Sequence, residues 1–451
     1  MQMRLKLFHE AKAPLANGHR RDTLLLLSDE EFENNHGFIQ WAFPTPTPSK
    51  NPTDAPVLDL GSAIYLSEDK DFVIFIENMT ARFLEFLKRN DHWKRKYNHN
   101  HLRISRALES IRILHSYELS DWFLKTVLQF SEEAHGMMSD THRHWQSHIS
   151  QSHDRVAGAF VGLAIGDAMG APVEFCSRGT FVPVTHYRSG GKFQLPAGAW
   201  TDDTAMALGL AQSLILEKGF EPRSVLQNFS DWMEHGHYTS TGTCVGVGQN
   251  TLRTLGDFRR TGALKAVPFG KKNDGNGSLM RLAPIPCFYT SDDELVMNIA
   301  REQSLITHAS EIAAEACQFL ALLLSYLIRG EDYIVAKRRT LEKEWSYPLL
   351  SSVDLDYKGF SVAGIKSGGY VLDTLQAAIW AVENGTDFRS IVLNAVNLGD
   401  DADTTAAVAG QIAGAMHGYT LVESDLKTKV LKERELYVTS QFLSKLSSYA
   451  Y

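Results

Sequence analysis

The sequence predicts an all-α protein of two units, and three observations carry that prediction. Apolar residues recur at three- and four-residue intervals over most of the chain. Strand signals are few, with only a short candidate around Thr180–Tyr187. The texture changes near residue 150, from a Trp-, Phe- and His-rich segment to one rich in Gly, Ala and small apolar residues. A chain of 451 residues is also long for one core. We therefore place one domain with its linker at 1–150 and a second at 151–451.

In the first segment, Ser28-Asp29-Glu30-Glu31 reads as a helix N-cap with acids in the first turn. Phe32, His36, Ile39 and Gln40 continue near helical spacing until the prolines of Thr45–Pro52 stop the helix. Val73–Leu87, His101–Leu114 and Ser120–Phe130 are further helices, and Met137–Asp154 is a linker or connecting helix. Twelve of the seventeen histidines lie before Asp154. No Cys/His spacing repeats, so surface and capping roles are expected for them rather than a metal site.

Beyond Arg155 the pattern predicts a small-residue helix over Val156–Gly170, able to pack closely on another helix. Further helices are expected at Ala205–Glu217, Pro222–Glu234, Asp293–Leu305, Glu311–Ile328, Asp332–Glu344, Ser367–Glu383, Phe388–Val396 and Thr405–Gly418. The run Phe319–Leu324 reads as a buried helix core rather than a membrane span, and the N-terminus has no apolar signal-peptide core. The four cysteines are scattered, as free thiols in a reducing compartment would be. A formal net charge of −8 gives no whole-protein attraction to nucleic acid or anionic membrane. A cytoplasmic protein is expected, with no membrane partner.

Two acidic turns carry the chemistry. Thr201-Asp202-Asp203-Thr204 and Asp400-Asp401-Ala402-Asp403-Thr404 each open onto a helix of small apolar residues. A helix N-terminus favours one acid as a cap. Five aspartates over two turns exceed that need and suit a hard, oxygen-ligated cation such as Mg²⁺. For Asp401, Asp403 and Thr404 to share a site, Asp401 must precede the helix. Asp403 is then placed to bridge two ions. Glu174 lies beyond Pro172, between Val173 and Phe175, as either a solvated loop acid or a mobile general acid/base. Asn273–Arg281 is either a plain turn or an anion nest for a diphosphate. His308 reads as a helix-cap or ligand-contacting histidine, and Tyr370 as a packing residue or a base-stacking one.

The ordered set Gly166-Asp167…Glu174, Trp200–Thr204, Gly275–Arg281, Thr307-His308, Gly369–Val371 and Gly399–Thr404 resembles the ADP-ribosylglycohydrolase family over residues 155 to 420. The resemblance implies a compact, orthogonal all-α domain, two Mg²⁺ ions, and hydrolysis of the glycosidic bond between ADP-ribose and a protein, nucleic-acid or small-molecule acceptor. It implies Thr201, Asp202, Asp203, Asp401, Asp403 and Thr404 as metal ligands, with Asp400 outside the set because it matches a position usually held by Gly. Glu174 matches the loop acid/base of the branch that cleaves O-linked ADP-ribose. Asp167 would hold the ribose or its water. Gly277, Ser278 and Leu279 would line the diphosphate, and His308, Gly369 and Tyr370 would contact ADP-ribose.

One departure bears on the acceptor. The arginine-directed branch carries Phe-Asp-Ile-Gly, and the Asp position here is Gly246, which points away from arginine. A non-catalytic ADP-ribose reader, a partner-docking protein and a metal-dependent phosphoesterase are the alternatives. The intact acidic turns and Glu174 argue against the first two, and no phosphate-directed Lys/Arg set is evident for the third. Phe38–Pro44, Asn51-Pro52, Ala55–Leu58 and His101–Arg106 resemble the N-terminal domain of the opioid growth factor receptor family. That resemblance implies no catalytic motif and leaves the partner of the first segment unknown.

Overall fold

A computed structural model describes residues 2–10, 12–15, 18–49, 55–269 and 273–447. The chain divides into two compact units, Met1–Ser150 and Gln151–Tyr451. Among the described residues there are helices and two isolated β-bridges, with no extended strand. The 180–187 candidate is not a strand. The side chain of Asn397 both donates to the Val184 carbonyl (3.0 Å) and accepts from its N–H (2.7 Å), satisfying the backbone that a neighbouring strand would otherwise pair.

The first unit is built on the helices Leu60–Glu68, Lys70–Arg89, Asn100–Leu114, Tyr117–Phe130 and His135–Ser147. Ser28 and Glu31 form a reciprocal capping box at the start of Asp29–Asn34. The helix expected to run on through Gln40 stops at Asn35, and a separate turn follows at Ile39–Ala42. Buried Arg103 accounts for the stop: its guanidinium takes the carbonyls of Phe32, Glu33 and Asn35, which would otherwise be unpaired at a helix end. Phe32, Phe38 and Phe86 meet edge-on or tilted with centroids 4.7–4.8 Å apart, forming an aromatic core. The histidine expectation needs correcting in part. His9, His101 and His142 are buried, and bond to the Trp41 carbonyl, the Trp93 carbonyl and the Ser131 hydroxyl. The stretch 50–52 of the expected proline-rich stop lies outside the described residues.

The second unit is organised on two helices, Gln151–Gly170 and Ala402–His417. Gly158, Gly162, Gly166 and Gly170 recur every four residues on one face. A Cβ there would lie only 2.2, 2.3, 2.0 and 2.4 Å from Gly414 O, Gly410 O, Ala406 O and Asp403 Cα respectively. The two backbones therefore touch, and only hydrogen fits between them. Around this pair stand Asp202–Glu217, Glu311–Ile328, Val371–Glu383, Phe388–Val396 and Glu433–Leu446. The stretches Glu132–Val173 and Glu311–Ile328 are long and apolar enough to cross a membrane by length and composition, and 94% and 78% of their apolar windows are buried inside the protein.

Two boundary shifts matter for the site. The helix expected from Ser367 begins at Val371, because Gly369 and Val371 pair instead with Asn276 and Asp274. The helix expected from Thr405 begins at Ala402, with Asp401 as its N-cap. A helix at Gln249–Thr261 was not evident in the sequence. It has only Leu252, Leu255 and Phe258 as large apolar residues and is bounded by Gly248 and Gly262.

The close approach of the two helices makes a stability prediction. Gly166→Ala forces its methyl against rigid backbone and should cost at least about 2 kcal/mol. Gly256→Ala, with nothing within 4 Å of the added methyl, should be neutral or stabilise by up to about 1 kcal/mol. Denaturant unfolding of both variants checks the contrast.

Candidate active site

Asp167 lies one turn before the C-terminus of the Gln151–Gly170 helix and is fully buried. Its Oδ1 accepts from the N–H and hydroxyl of Thr201, both at 2.9 Å, and its Oδ2 from the N–H and hydroxyl of Thr204, at 3.0 and 2.6 Å. Four donors thus pin the start of the Asp202–Glu217 helix to this carboxylate. Both oxygens are committed and Asp167 is not part of the cavity wall, so its observed work is to hold this turn, where a ribose or water contact was expected.

The two acidic turns meet. The Thr201 hydroxyl lies 3.5 Å from Asp203 Oδ2 and 3.4 Å from Asp403 Oδ2. Carboxylate oxygens of Asp167, Asp203 and Asp403 gather within 4.8 Å of one another, and so do those of Glu174, Asp401 and Asp403. Asp403 is common to both groups. Asp401 precedes its helix, as a shared site requires, while Asp403 sits in the first turn. Asn276 donates to Asp401 Oδ2 at 2.7 Å and to Thr374 at 2.8 Å, tying the second turn to the Asn276 loop.

Glu174 follows the short 3-10 turn Ala171–Val173. The chain just after it is fastened to the second acidic turn: Phe175 N–H donates to the Asp400 carbonyl at 2.6 Å, and Asp400 N–H to the Cys176 carbonyl at 2.7 Å. Arg178 adds bonds to the carbonyls of Leu398, Ile365 and Val362. Asp400, exposed and with φ 55°, serves this backbone pairing rather than the carboxylate groups. Glu174 therefore stands on a tethered turn and is buried, unlike a solvated loop acid.

Crowding these acids away from water raises their proton affinities. Burial, then the Asp401 charge, moves Glu174 up to about 7. Burial moves Asp167 up to about 6 against the pull of its Thr donors. Asp202, Asp203 and Asp403 are pushed well up, by burial first and by neighbouring carboxylates second. Glu174 Oε2, Asp203 Oδ1 and Asp403 Oδ1 are buried without a hydrogen-bond partner. Buried, unpartnered oxygens from an all-oxygen donor set fit a hard divalent cation.

A cavity of about 1060 Å³ opens over these groups. Its wall includes Glu174, Asp202, Asp401, Asp403 and Thr404, together with Gly277, His308 and Gly369. Three expected substrate contacts are placed differently. The Ser278 side chain is buried against Ser304 at 2.7 Å, Leu279 is fully buried, and Tyr370 is 41% exposed but outside the cavity wall. The turn that carries Ser278 and Leu279 still reaches the cavity through Gly275 and Gly277, because its backbone pairs with Gly369–Val371. Sequence reading missed Asn276 as a positioning group, although its Asn-Gly step was the available signal. It also missed Lys192 and Arg253, which line the cavity with their cations over the rings of Phe175 (4.1 Å) and Phe269 (3.3 Å). Nothing in their local sequence marks them.

Gly246 has a specific reason to be glycine. Its φ is +82°, and a Cβ there would lie 2.1 Å from Asp202 Oδ1. With this backbone, an aspartate at 246 would collide with Asp202.

The family model described as ADP-ribosylglycohydrolase matches residues 149–449. The ADP-ribosylarginine hydrolase Tri1 of Serratia proteamaculans is 37% identical over 294 residues, which cover 64% of this chain and 78% of that protein. The ADP-ribosyl-[dinitrogen reductase] glycohydrolase of Rhodospirillum rubrum is 29% identical over 282 residues, 62% of this chain and 90% of that one. A solved structure described as an ADP-ribosylglycohydrolase-related protein complex superposes with a TM-score of 0.59 at 34% identity, covering 66% of this chain and 99% of that chain. The site just described lies wholly inside the matched region, and the chain belongs to the ADP-ribosylglycohydrolase family.

Proposed function

We propose that this glycohydrolase uses two divalent cations, Mg²⁺ by preference, to release ADP-ribose from an ADP-ribosylated acceptor. The observation that carries the reading is the pair of carboxylate groups that share Asp403 beneath one cavity. Thr201, Asp202, Asp203, Asp401, Asp403 and Thr404 are the proposed ligand residues, with Asp167 holding Thr201 and Thr204 in place. Cations bound there would neutralise the crowded acids and stabilise charge on substrate hydroxyls. Glu174, at the cavity edge with a proton affinity near neutrality, is placed to give or take the proton of the acceptor or of water. His308, Gly277 and Gly369 line the side that would hold ADP-ribose. Ser278 and Leu279 would contribute there through backbone alone, and Tyr370 from outside the wall. We propose a cytoplasmic setting, consistent with four free thiols.

Two observations bear on the acceptor. Similarity to a relative named as an ADP-ribosylarginine hydrolase supports an arginine guanidinium, and this is the reading we adopt. Gly246, where the aspartate of the arginine-directed pattern would have to displace the Asp202 carboxylate and adopt a φ of +82°, together with Glu174 supports an O-linked acceptor as the second reading. Incubating the protein and Mg²⁺ with Ser-, Arg-, base- and O-acetyl-linked ADP-ribose decides between them. Release from the arginine conjugate alone is expected, and release from the serine conjugate alone would reverse the choice. Release from none would remove the hydrolase assignment for these acceptors.

Two variants test the site. Glu174→Gln should keep ADP-ribose binding and lose turnover by roughly 10²- to 10⁴-fold; normal hydrolysis would move the acid/base role elsewhere. In chelator, Asp403→Asn should unfold at or above the wild-type temperature, because one crowded charge is gone. Mg²⁺ at about 100 times its Kd should stabilise the wild type by about 2.7 kcal/mol and the variant far less. Equal stabilisation of both would remove Asp403 from the ligand set.

A further inference from the structure

Behind the Gly275–Gly277 turn lies a buried polar chain that the reaction does not obviously need. Arg281 is fully buried, with its guanidinium carbon 4.8 Å from the centre of the Phe229 ring. It donates to Gln303 Oε1 (3.1 Å), to the Gln303 carbonyl (2.8 Å) and to the Thr307 hydroxyl (2.8 Å). The Thr307 hydroxyl is in turn 2.9 Å from His308 Nδ1.

Proton counting along this chain has one solution that leaves the buried Thr307 hydroxyl proton with an acceptor. A guanidinium only donates, so the Thr307 oxygen accepts from Arg281. The oxygen could also accept from an Nδ1–H, but its own proton would then be buried without an acceptor; directed along the second contact, that proton reaches His308 Nδ1. That nitrogen must then present its lone pair. Burial, with the Arg281 charge beside it, holds the imidazole neutral, far below its ordinary range at about 3. A neutral imidazole that accepts at Nδ1 carries its proton on Nε2. Nε2 faces the cavity turn: a Cβ on Gly275 or Gly277 would lie 3.5 or 3.2 Å from it, and neither glycine supplies one.

We propose that Arg281 and Thr307 are positioning residues that lock His308 in the Nε2–H tautomer, so that it offers a hydrogen-bond donor to a phosphate oxygen of ADP-ribose. The ligand in this statement rests on the function proposed above. A donor whose tautomer is fixed before binding loses nothing to reorganisation, and it cannot turn a lone pair toward an anion. Phosphate groups carry acceptors only, so this is the tautomer that recognises them.

The test uses the full chain with ¹⁵N-labelled histidine, His308→Gln being used to assign its signals. Long-range ¹H–¹⁵N spectra of the ligand-free protein should show Nε2 protonated and Nδ1 bare. Thr307→Val keeps the shape and removes the relay; the Nδ1–H form should appear and the Kd for ADP-ribose should rise about tenfold, the loss of one hydrogen bond. Thr307→Ser should restore both readouts. A wild-type spectrum with Nδ1–H, or a Thr307→Val protein with unchanged tautomer and Kd, overturns the proposal. Failure of the wild type to bind ADP-ribose overturns the ligand assignment. It is distinguished from failure of the relay by the spectrum, which needs no ligand.

Discussion

The site depends on one contact: the backbone-to-backbone packing of Gln151–Gly170 on Ala402–His417. Four glycines at four-residue spacing let the two helices approach until an added Cβ would overlap backbone atoms of the other helix. The acidic chemistry sits at one end of this seam. Gly170 is packed against the Cα of Asp403, one turn beyond Asp167. Rigid main chain therefore sets the second acidic turn against the helix that carries Asp167, and the Asp167 carboxylate holds the first turn to the same helix.

That rigidity explains how so much like charge can be gathered. The acids do not all share one status. Asp167 is a satisfied anion, with four donors on two oxygens. Asp401 has one amide donor from Asn276. Glu174, Asp203 and Asp403 each keep a buried oxygen with no partner. An unpartnered buried carboxylate costs several kcal/mol, and Asp403 carries this cost while belonging to both carboxylate groups. Within the site this cost falls on two proposed ligands, Asp203 and Asp403, and on the proposed acid/base Glu174, while the residue that fixes the turn is relieved of it.

Much of this was legible in the sequence, and the limits have physical causes. The small-residue helix, the two acidic turns and the need for Asp401 to precede its helix follow from local spacing, and the structure places them as expected. The family is shown by comparison. What local spacing could not show is what long-range pairing decides. The Val371 helix start is set by the pairing of Val371 with Asp274 and of Gly369 with Asn276, some ninety residues away in sequence, and the Asn35 stop by Arg103. Ser278 and Leu279 belong to the right turn, but the turn shows the cavity its glycines and sends those two side chains into the core. Lys192, Arg253 and the Arg281–Thr307 relay reach the site by tertiary folding alone.

The central claim is that the two carboxylate groups are two halves of one dinuclear cation site. Crystals of the protein grown with Mn²⁺, examined by anomalous scattering, test it most directly. The account predicts two peaks within bonding distance of carboxylate oxygens, one on the Asp203 side and one on the Asp401 side, with Asp403 contacting both. A single peak, or ions bound away from Asp403, would contradict it.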